Sequence, residues 1–271
     1  MKLQKCAIFV LFTLTSMVSA ALELRGEWQQ GGVIIGKVPD GTHIEYRNKK
    51  LQLSPAGEFV IGLGRDADKQ AALVTIDSDG VRKEHRFDVK GRTYRIQKVT
   101  GVPQRTVDPD PAQVERAKRE AKMAADARKG NLPLTFFAQK FEWPLIGPVT
   151  GVYGSQRFYN GVAGSPHYGV DIAKPVGTLV KAPAGGVVTL VHPDMFFSGG
   201  TLIIDHGHGL SSTFIHLNKI LVKKGDEIVQ GQAIAHVGKT GRATGPHLDW
   251  RMNWFEERID PQLLVEPMPA E

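Results

Sequence analysis

A single cysteine, Cys6, stands in the 271 residues, which excludes a disulfide framework and any cysteine-based zinc module. Long apolar runs are also scarce. The one from Cys6 to Val18 is broken by Thr13, Thr15 and Ser16 and falls short of the roughly 20 residues that a membrane-spanning helix needs. No G-x-S-x-G elbow is present, so serine-hydrolase chemistry lacks its usual nucleophile turn. No repeat recurs at solenoid spacing. Gly238-Lys239-Thr240 resembles the end of a phosphate loop, but Ala233 stands where that pattern requires glycine, and Pro246 with its neighbouring glycines blocks the helix that should follow. The hydrophobic fraction of 41% and charged fraction of 23% are those of ordinary globular chains and argue against wholesale disorder. A formal charge of +6 allows an anionic partner without naming one.

The N-terminus has the order of a secretory signal. Lys2 and Lys5 precede the apolar run, and Val18-Ser19-Ala20 supplies small residues for cleavage. A retained anchor is the alternative reading. Cleavage after Ala20 would remove Lys2, Lys5 and Cys6, lowering the formal charge from +6 to +4 and leaving no cysteine. Cys6 opens the apolar run rather than following it, so it is badly placed for lipid attachment.

Length and pattern suit two domains and a predominantly all-β protein. Between residues 22 and 102, short strands are expected at 32–38, 43–47, 58–63, 72–76, 85–89 and 93–99, separated by turns such as Pro39-Asp40-Gly41 and Asp77-Ser78-Asp79-Gly80. That spacing suggests a β-sandwich. Residues 107–131 change character. Asp110-Pro111 reads as a helix start, and Val114, Ala117, Ala121, Ala124 and Ala125 recur at helical spacing with charges of both signs between them. An alanine stripe buries little, so a connecting or propping helix is expected, with its Lys and Arg residues solvated rather than bound to nucleic acid. Strands return from Phe141 to Trp254, at 179–182, 186–191, 201–205, 212–216, 227–229, 233–237 and 247–252, and Asp260-Pro261 opens a short closing helical turn. The expected division is a signal at 1–20, an N-terminal sandwich at 21–102, a charged helical linker at 103–140 and a second β domain at 141–271.

Seven of the nine histidines fall between His167 and His247. His167-Tyr168-Gly169-Val170-Asp171 places an imidazole and a carboxylate four residues apart, and even spacing in an extended chain puts both on one face, with Gly169 letting the backbone bend between them. His247-Leu248-Asp249 is a second such pair, and Phe214-Ile215-His216-Leu217 would carry His216 on the Phe214 side of its strand. Neutral imidazole and carboxylate are zinc ligands, and a catalytic zinc keeps three of them plus a water. Each histidine alone reads more simply as a surface or satisfied core residue. His206 and His208 sit in the glycine-rich Asp205-His206-Gly207-His208-Gly209 and read as a structural turn. His43, His85, His192 and His236 read as structural, and Trp250 and Trp254 as packing residues or groove walls.

Taken in order, several stretches resemble the lysostaphin/LytM-type zinc peptidases, family M23, over roughly residues 145–255. They are Gly151-Val152-Tyr153-Gly154-Ser155-Gln156-Arg157, His167 to Ala173, Asp205 to Gly209, Phe214 to Leu217, Gly225-Asp226 with Gly231-Gln232, and Gly238-Lys239-Thr240-Gly241 with Thr244-Gly245-Pro246-His247-Leu248. Residues 22–102 and the helix also resemble the domain that precedes some of these peptidases. The resemblance implies a C-terminal LytM-like antiparallel β domain of the duplicated-hybrid-motif type. It further implies an exported, zinc-dependent endopeptidase of the periplasm or cell envelope that cuts peptide cross-links or bridges of bacterial peptidoglycan. Other envelope proteins would be further partners, with no nucleic acid and no permanent membrane span. Carried over by position, His167 and Asp171 match two metal ligands, and His216 and His247 match catalytic histidines. The third ligand is a histidine in the family and Asp249 here. Asp249 can bind zinc, but one His with two Asp leaves the site less positive, which weakens activation of bound water and opens the site to a harder divalent metal. Two other classes remain: a catalytically weak or inactive wall-binding protein or amidase activator of the same family, and a biotinyl/lipoyl-type carrier suggested by the hairpin pattern of 179–191 and 222–237.

Overall fold

A computed structural model of the chain describes residues 22–269, so the expected signal segment and Cys6 lie outside the described residues. The N-terminal region begins with β1 (Glu23–Arg25), β2 (Val33–Lys37), β3 (His43–Tyr46), β4 (Lys49–Lys50), β5 (Glu58–Gly62), β6 (Gln70–Ile76), β7 (Arg82–Asp88) and β8 (Ile96–Val99). Strands β1, β2 and β5 form one antiparallel sheet, and β4, β3, β6 and β7 another. Ile34, Phe59 and Ile61 of the first and Ile44, Tyr46 and Leu73 of the second share one core, as a sandwich requires.

One helix, α1 (Pro111–Arg128), follows. Its start is fixed as the sequence suggests. The Asp110 carboxylate accepts from the Gln113 amide at 2.8 Å, the Gln113 side chain returns a bond to the Asp110 N–H at 3.3 Å, and Pro111 fills the first helical position. The packed stripe differs from the expected one. Val114, Ala117, Glu120, Ala124 and Ala127 turn inward, while Ala121 and Ala125 stay exposed. Ala124 and Ala127 pack against Leu190, Met195 and Ile203. Buried Glu120 accepts from the Phe196 backbone N–H at 2.6 Å and from Arg116 at 2.7 Å. The helix is thus a strap fixed to the second β region by a carboxylate as well as by apolar contact.

The second region adds β9 (Val149–Gly151), β10 (Gln156–Tyr159), β11 (Val162–Ala163), β12 (Gly169–Ala173), β13 (Leu179–Lys181), β14 (Gly186–Met195), β15 (Gly199–Gly207), β16 (Leu210–Ile220), β17 (Glu227–Ile228), β18 (Ala233–Val237), β19 (His247–Trp254) and β20 (Glu257–Ile259). The main sheet runs β17-β14-β15-β16-β19-β12-β9, with β18 against β16 and β13, and β20 against β19. Along β19 the faces alternate cleanly. Leu248, Trp250, Met252 and Trp254 join the core, which leaves His247, Asp249, Arg251 and Asn253 on the opposite face. Trp250 and Trp254 are therefore packing residues. Strand β8 does not stay with the sandwich; it pairs in parallel with β10, Gln97 opposite Arg157. Strands β10 and β11 were not expected. Their glycine-flanked residues carry no alternation, and β8 lies some 60 residues earlier.

The two regions share their core. A Cβ on Gly62 would meet Trp254 at 2.6 Å and Ile259 at 2.9 Å, so glycine lets strand β5 lie directly on β19–β20. Arg92 pairs with buried Asp260 at 2.8 Å across the same boundary. No helix among the described residues is long and apolar enough to cross a membrane.

Two tests follow from this packing. Glu120→Ala leaves the Phe196 N–H without its acceptor and should lower the urea-unfolding free energy by about 1–3 kcal/mol at unchanged m-value. His206 is buried, with Nδ1 on Gly185 O at 2.6 Å and Nε2 on Ser212 Oγ at 2.7 Å, and burial pushes its pKa down to about 4. A histidine held neutral this way favours the folded state above its ordinary pKa of about 6.5, and that stability is lost as pH falls from there towards 4. Melting temperatures measured between pH 7 and 4 should fall less steeply for His206→Gln than for the unaltered protein.

Candidate metal centre

Strands β12 and β19 run antiparallel with Asp171 directly opposite Asp249. Val170 and Ile172 face the core, so Asp171 shares the other sheet face with Asp249. His167 sits just before β12, held by its own N–H to Ser155 O at 2.8 Å and by the Gly154 N–H to its carbonyl at 2.7 Å. His167, Asp171 and Asp249 bring one donor atom each to within 4.8 Å of one another, the one such group of three among the described residues. His167 Nε2 lies 3.1 Å from Asp171 Oδ1, and His167 Nδ1 lies 3.9 Å from Asp249 Oδ2.

The polar atoms here fit a metal ion. Both ring nitrogens of His167 and Oδ1 of Asp171 are buried without a hydrogen-bond partner among the described residues. Lone pairs from one imidazole and two carboxylates converge, a donor set suited to zinc or a harder divalent ion.

His216 and His247 stand beside these donors, with ring centroids 4.8 Å apart. Strand alternation would have put His216 with Phe214, but Phe214 lies in the core. The difference lies in the backbone. His216 adopts φ 63°, in the left-handed region, near an irregularity of the β15–β16 register, so alternation fails at this residue. Its Nδ1 is 2.8 Å from Thr240 O, and His247 Nδ1 is 2.9 Å from Gly245 O. A carbonyl only accepts, so each Nδ1 carries the proton and each Nε2 is left as a free acceptor. His247 Nε2 lies 3.8 Å from Asp171 Oδ1. Burial, then the neighbouring His247, pushes the His216 pKa down to about 4, keeping that ring neutral near pH 7.

Two arginines complete the cluster. The Arg251 guanidinium grips Asp249, with Nε at 3.0 and 3.1 Å from its two oxygens and Nη2 at 2.6 Å from Oδ2. Arg157 pairs with Asp171 Oδ2 and is itself held by Gln97 Oε1 at 2.9 Å, a residue of β8. Burial opposes the charge of both carboxylates. The neighbouring His167 and Arg157 outweigh it at Asp171, as do Arg251 and His167 at Asp249, and both are held below the ordinary carboxylate range. Gly169 is not a bend: a Cβ there would collide with Asp249 Oδ1, and one on Gly151 would collide with Asp171 Oδ2 and Arg157. These glycines make room for the two ion pairs. The arginines were not singled out from sequence, though Arg251 follows Asp249 at the same-face spacing of two. His206 and His208 stand apart from the centre, His206 serving as a core hydrogen-bonding residue.

Comparison with known proteins follows the same residues. Residues 165–261 match Peptidase family M23. Peptidoglycan DD-endopeptidase ShyA of Vibrio cholerae is 43% identical over 90 residues, 32% of this chain and 20% of that protein. ShyB of the same organism, also named a peptidoglycan DD-endopeptidase, is 44% identical over 89 residues, again 32% and 20%. The matched part thus spans about a fifth of these curated relatives' length. A crystal structure from Pseudomonas aeruginosa assigned to peptidase M23 aligns over 88% of this chain and 95% of its own, with a TM-score of 0.69 and 29% identity, so the N-terminal sandwich and helix are part of the shared arrangement. The matched segment carries the whole donor cluster and both neighbouring histidines, so residues 165–261 form a peptidase family M23 domain, of the lysostaphin/LytM type.

Proposed function

We propose that the protein is an exported, metal-dependent endopeptidase that hydrolyses peptide cross-links or bridges of bacterial peptidoglycan, in the periplasm or cell envelope. The observation that carries this reading is the convergence of His167, Asp171 and Asp249 beside two histidines whose Nε2 atoms are free. The naming of ShyA and ShyB as peptidoglycan DD-endopeptidases supports the substrate class. His167, Asp171 and Asp249 would hold one divalent ion, zinc by family resemblance, which supplies Lewis-acid polarisation of a scissile carbonyl and of a water. His216 and His247 move the proton. The Nε2 of one takes it from the attacking water, and the C–N bond then breaks as that proton passes to the leaving amine. Thr240 O and Gly245 O fix both rings in the tautomer that can accept. Arg157 and Arg251 hold the carboxylates in place and offset their charge. Counting charges, two arginines against two carboxylates restore the positive balance that Asp249 alone would remove. The grip of Arg251 on both oxygens of Asp249 is the observation that favours the second reading, a weak or inactive wall-binding protein or amidase activator. We also propose the division into a signal at 1–20, an N-terminal domain at 21–102, a linker at 103–140 and a peptidase domain at 141–271.

Digestion of purified wall followed by mass analysis should release fragments cut at peptide bonds; a profile identical to the buffer control would favour the activator reading. His216→Ala should retain bound metal and lose at least 100-fold in rate, whereas Asp171→Ala should lose the metal itself, as read by elemental analysis. Asp249→His, compared with the unaltered protein, should bind zinc and cut wall. An unaltered protein with neither metal nor activity would sink the retuned-peptidase reading.

A further inference from the structure

The sheet face that carries the candidate centre does not end at Asp249. Beyond it on β19 come Arg251 and Asn253, and β16 sets Thr213 opposite Arg251 and Ser211 opposite Asn253. Strand β20 places Arg258 opposite Asn253. Ser211 and Thr213 are 2% and 4% exposed, and both hydroxyls lack a hydrogen-bond partner among the described residues. Arg128, in the last turn of α1, lines the same cavity as Asn253 and Arg258. Neither Arg128 nor Arg258 has an acidic partner among the described residues, and the hydrogen bond Arg258 makes, to Asn253 Oδ1, is long at 3.3 Å. The carboxylate nearest to them along β19, Asp249, is already engaged by Arg251.

Part-buried guanidiniums without acidic partners are expensive unless an anion completes the set. Burial, with repulsion from Arg251, takes the Arg128 pKa down to about 10, and burial, with repulsion from Arg128 and Arg251, takes that of Arg258 to about 9. The cavity has a volume of about 790 Å³, within the range of ligand sites. It opens between the 46–52 hairpin, the end of α1 and β19–β20. Six basic side chains line it against two acidic ones, and one of those, Glu257, is paired with Arg47 at 2.5 Å.

We propose that Arg128 and Arg258, which line this cavity with Asn253, form a subsite for a free carboxylate of the wall peptide bound at the centre. This rests on the endopeptidase reading given above. Residues along a strand rise about 3.4 Å each, so Arg251 and Asn253 lie roughly 7 and 14 Å along β19 from Asp249. A peptide lying extended on this face therefore places the recognised carboxylate about two to four residues from the scissile bond. Planar, forked guanidiniums suit the two oxygens of a carboxylate.

The test is calorimetric titration of the metal-loaded full chain with an uncross-linked wall stem tetrapeptide as the free acid, with the same peptide as its C-terminal amide, and with inorganic phosphate. The acid should bind at least tenfold more tightly than the amide. Arg128→Gln and Arg258→Gln should each erase that preference while leaving amide affinity and metal content unchanged. Arg128→Lys and Arg258→Lys, which keep the charge, should retain part of the preference and a normal melting temperature, so a general folding defect is recognised. Equal affinity of acid and amide in the unaltered protein overturns the subsite, as does a preference that survives both glutamine variants. Phosphate binding more tightly than the acid at the same arginines overturns the carboxylate assignment. Acid preference without any cutting of wall would refute the endopeptidase reading and leave the subsite standing; cutting without acid preference would do the reverse.

Discussion

Two aspartates face one another across adjacent strands, Asp171 6% exposed and Asp249 wholly buried, and their burial governs the surrounding structure. Charges placed this close in a low-dielectric setting are tolerated only with compensation. Arg157 and Arg251 provide it, one per carboxylate. Each guanidinium needs space against the sheet, and Gly151 and Gly169 leave it by lacking a side chain. The glycines, the arginines and the aspartates are parts of a single electrostatic solution rather than separate motifs.

That solution changes how Asp249 is understood. As a substitution of carboxylate for imidazole, it removes positive charge from the centre. With Arg251 attached, Asp249 is part of a neutral ion pair, closer in charge to an imidazole. The pair also fixes the carboxylate's orientation, because a bidentate guanidinium tolerates little rotation. The same pair occupies lone pairs on both oxygens, so charge balance and availability of the carboxylate as a donor pull in opposite directions at this position.

Much of this was legible in the chain itself. The six anticipated strands of the N-terminal region appear with ends shifted by a few residues, and the Asp110-Pro111 start of the helix is observed as a complete capping box. The strand spacing of His247 and Asp249 correctly put both on one face, because β19 alternates without interruption. His216 escaped the same logic, since a single left-handed residue defeats a period of two. The pairing of β8 with β10 escaped it because a parallel partner distant in sequence leaves no local trace. The inward face of α1 differed because a buried glutamate, Glu120, stands where apolar periodicity looks for an alanine.

The contact from Gln97 through Arg157 to Asp171 makes the two regions of the chain physically interdependent. It runs from a strand of the N-terminal region to a carboxylate of the candidate centre. Helix α1 meanwhile covers Leu190, Met195 and Ile203. Recombination that joined this peptidase region to a different N-terminal partner would therefore strip a support from the centre and bare an oily patch at once. The N-terminal region and α1 thus act as a brace and a cover for the second region.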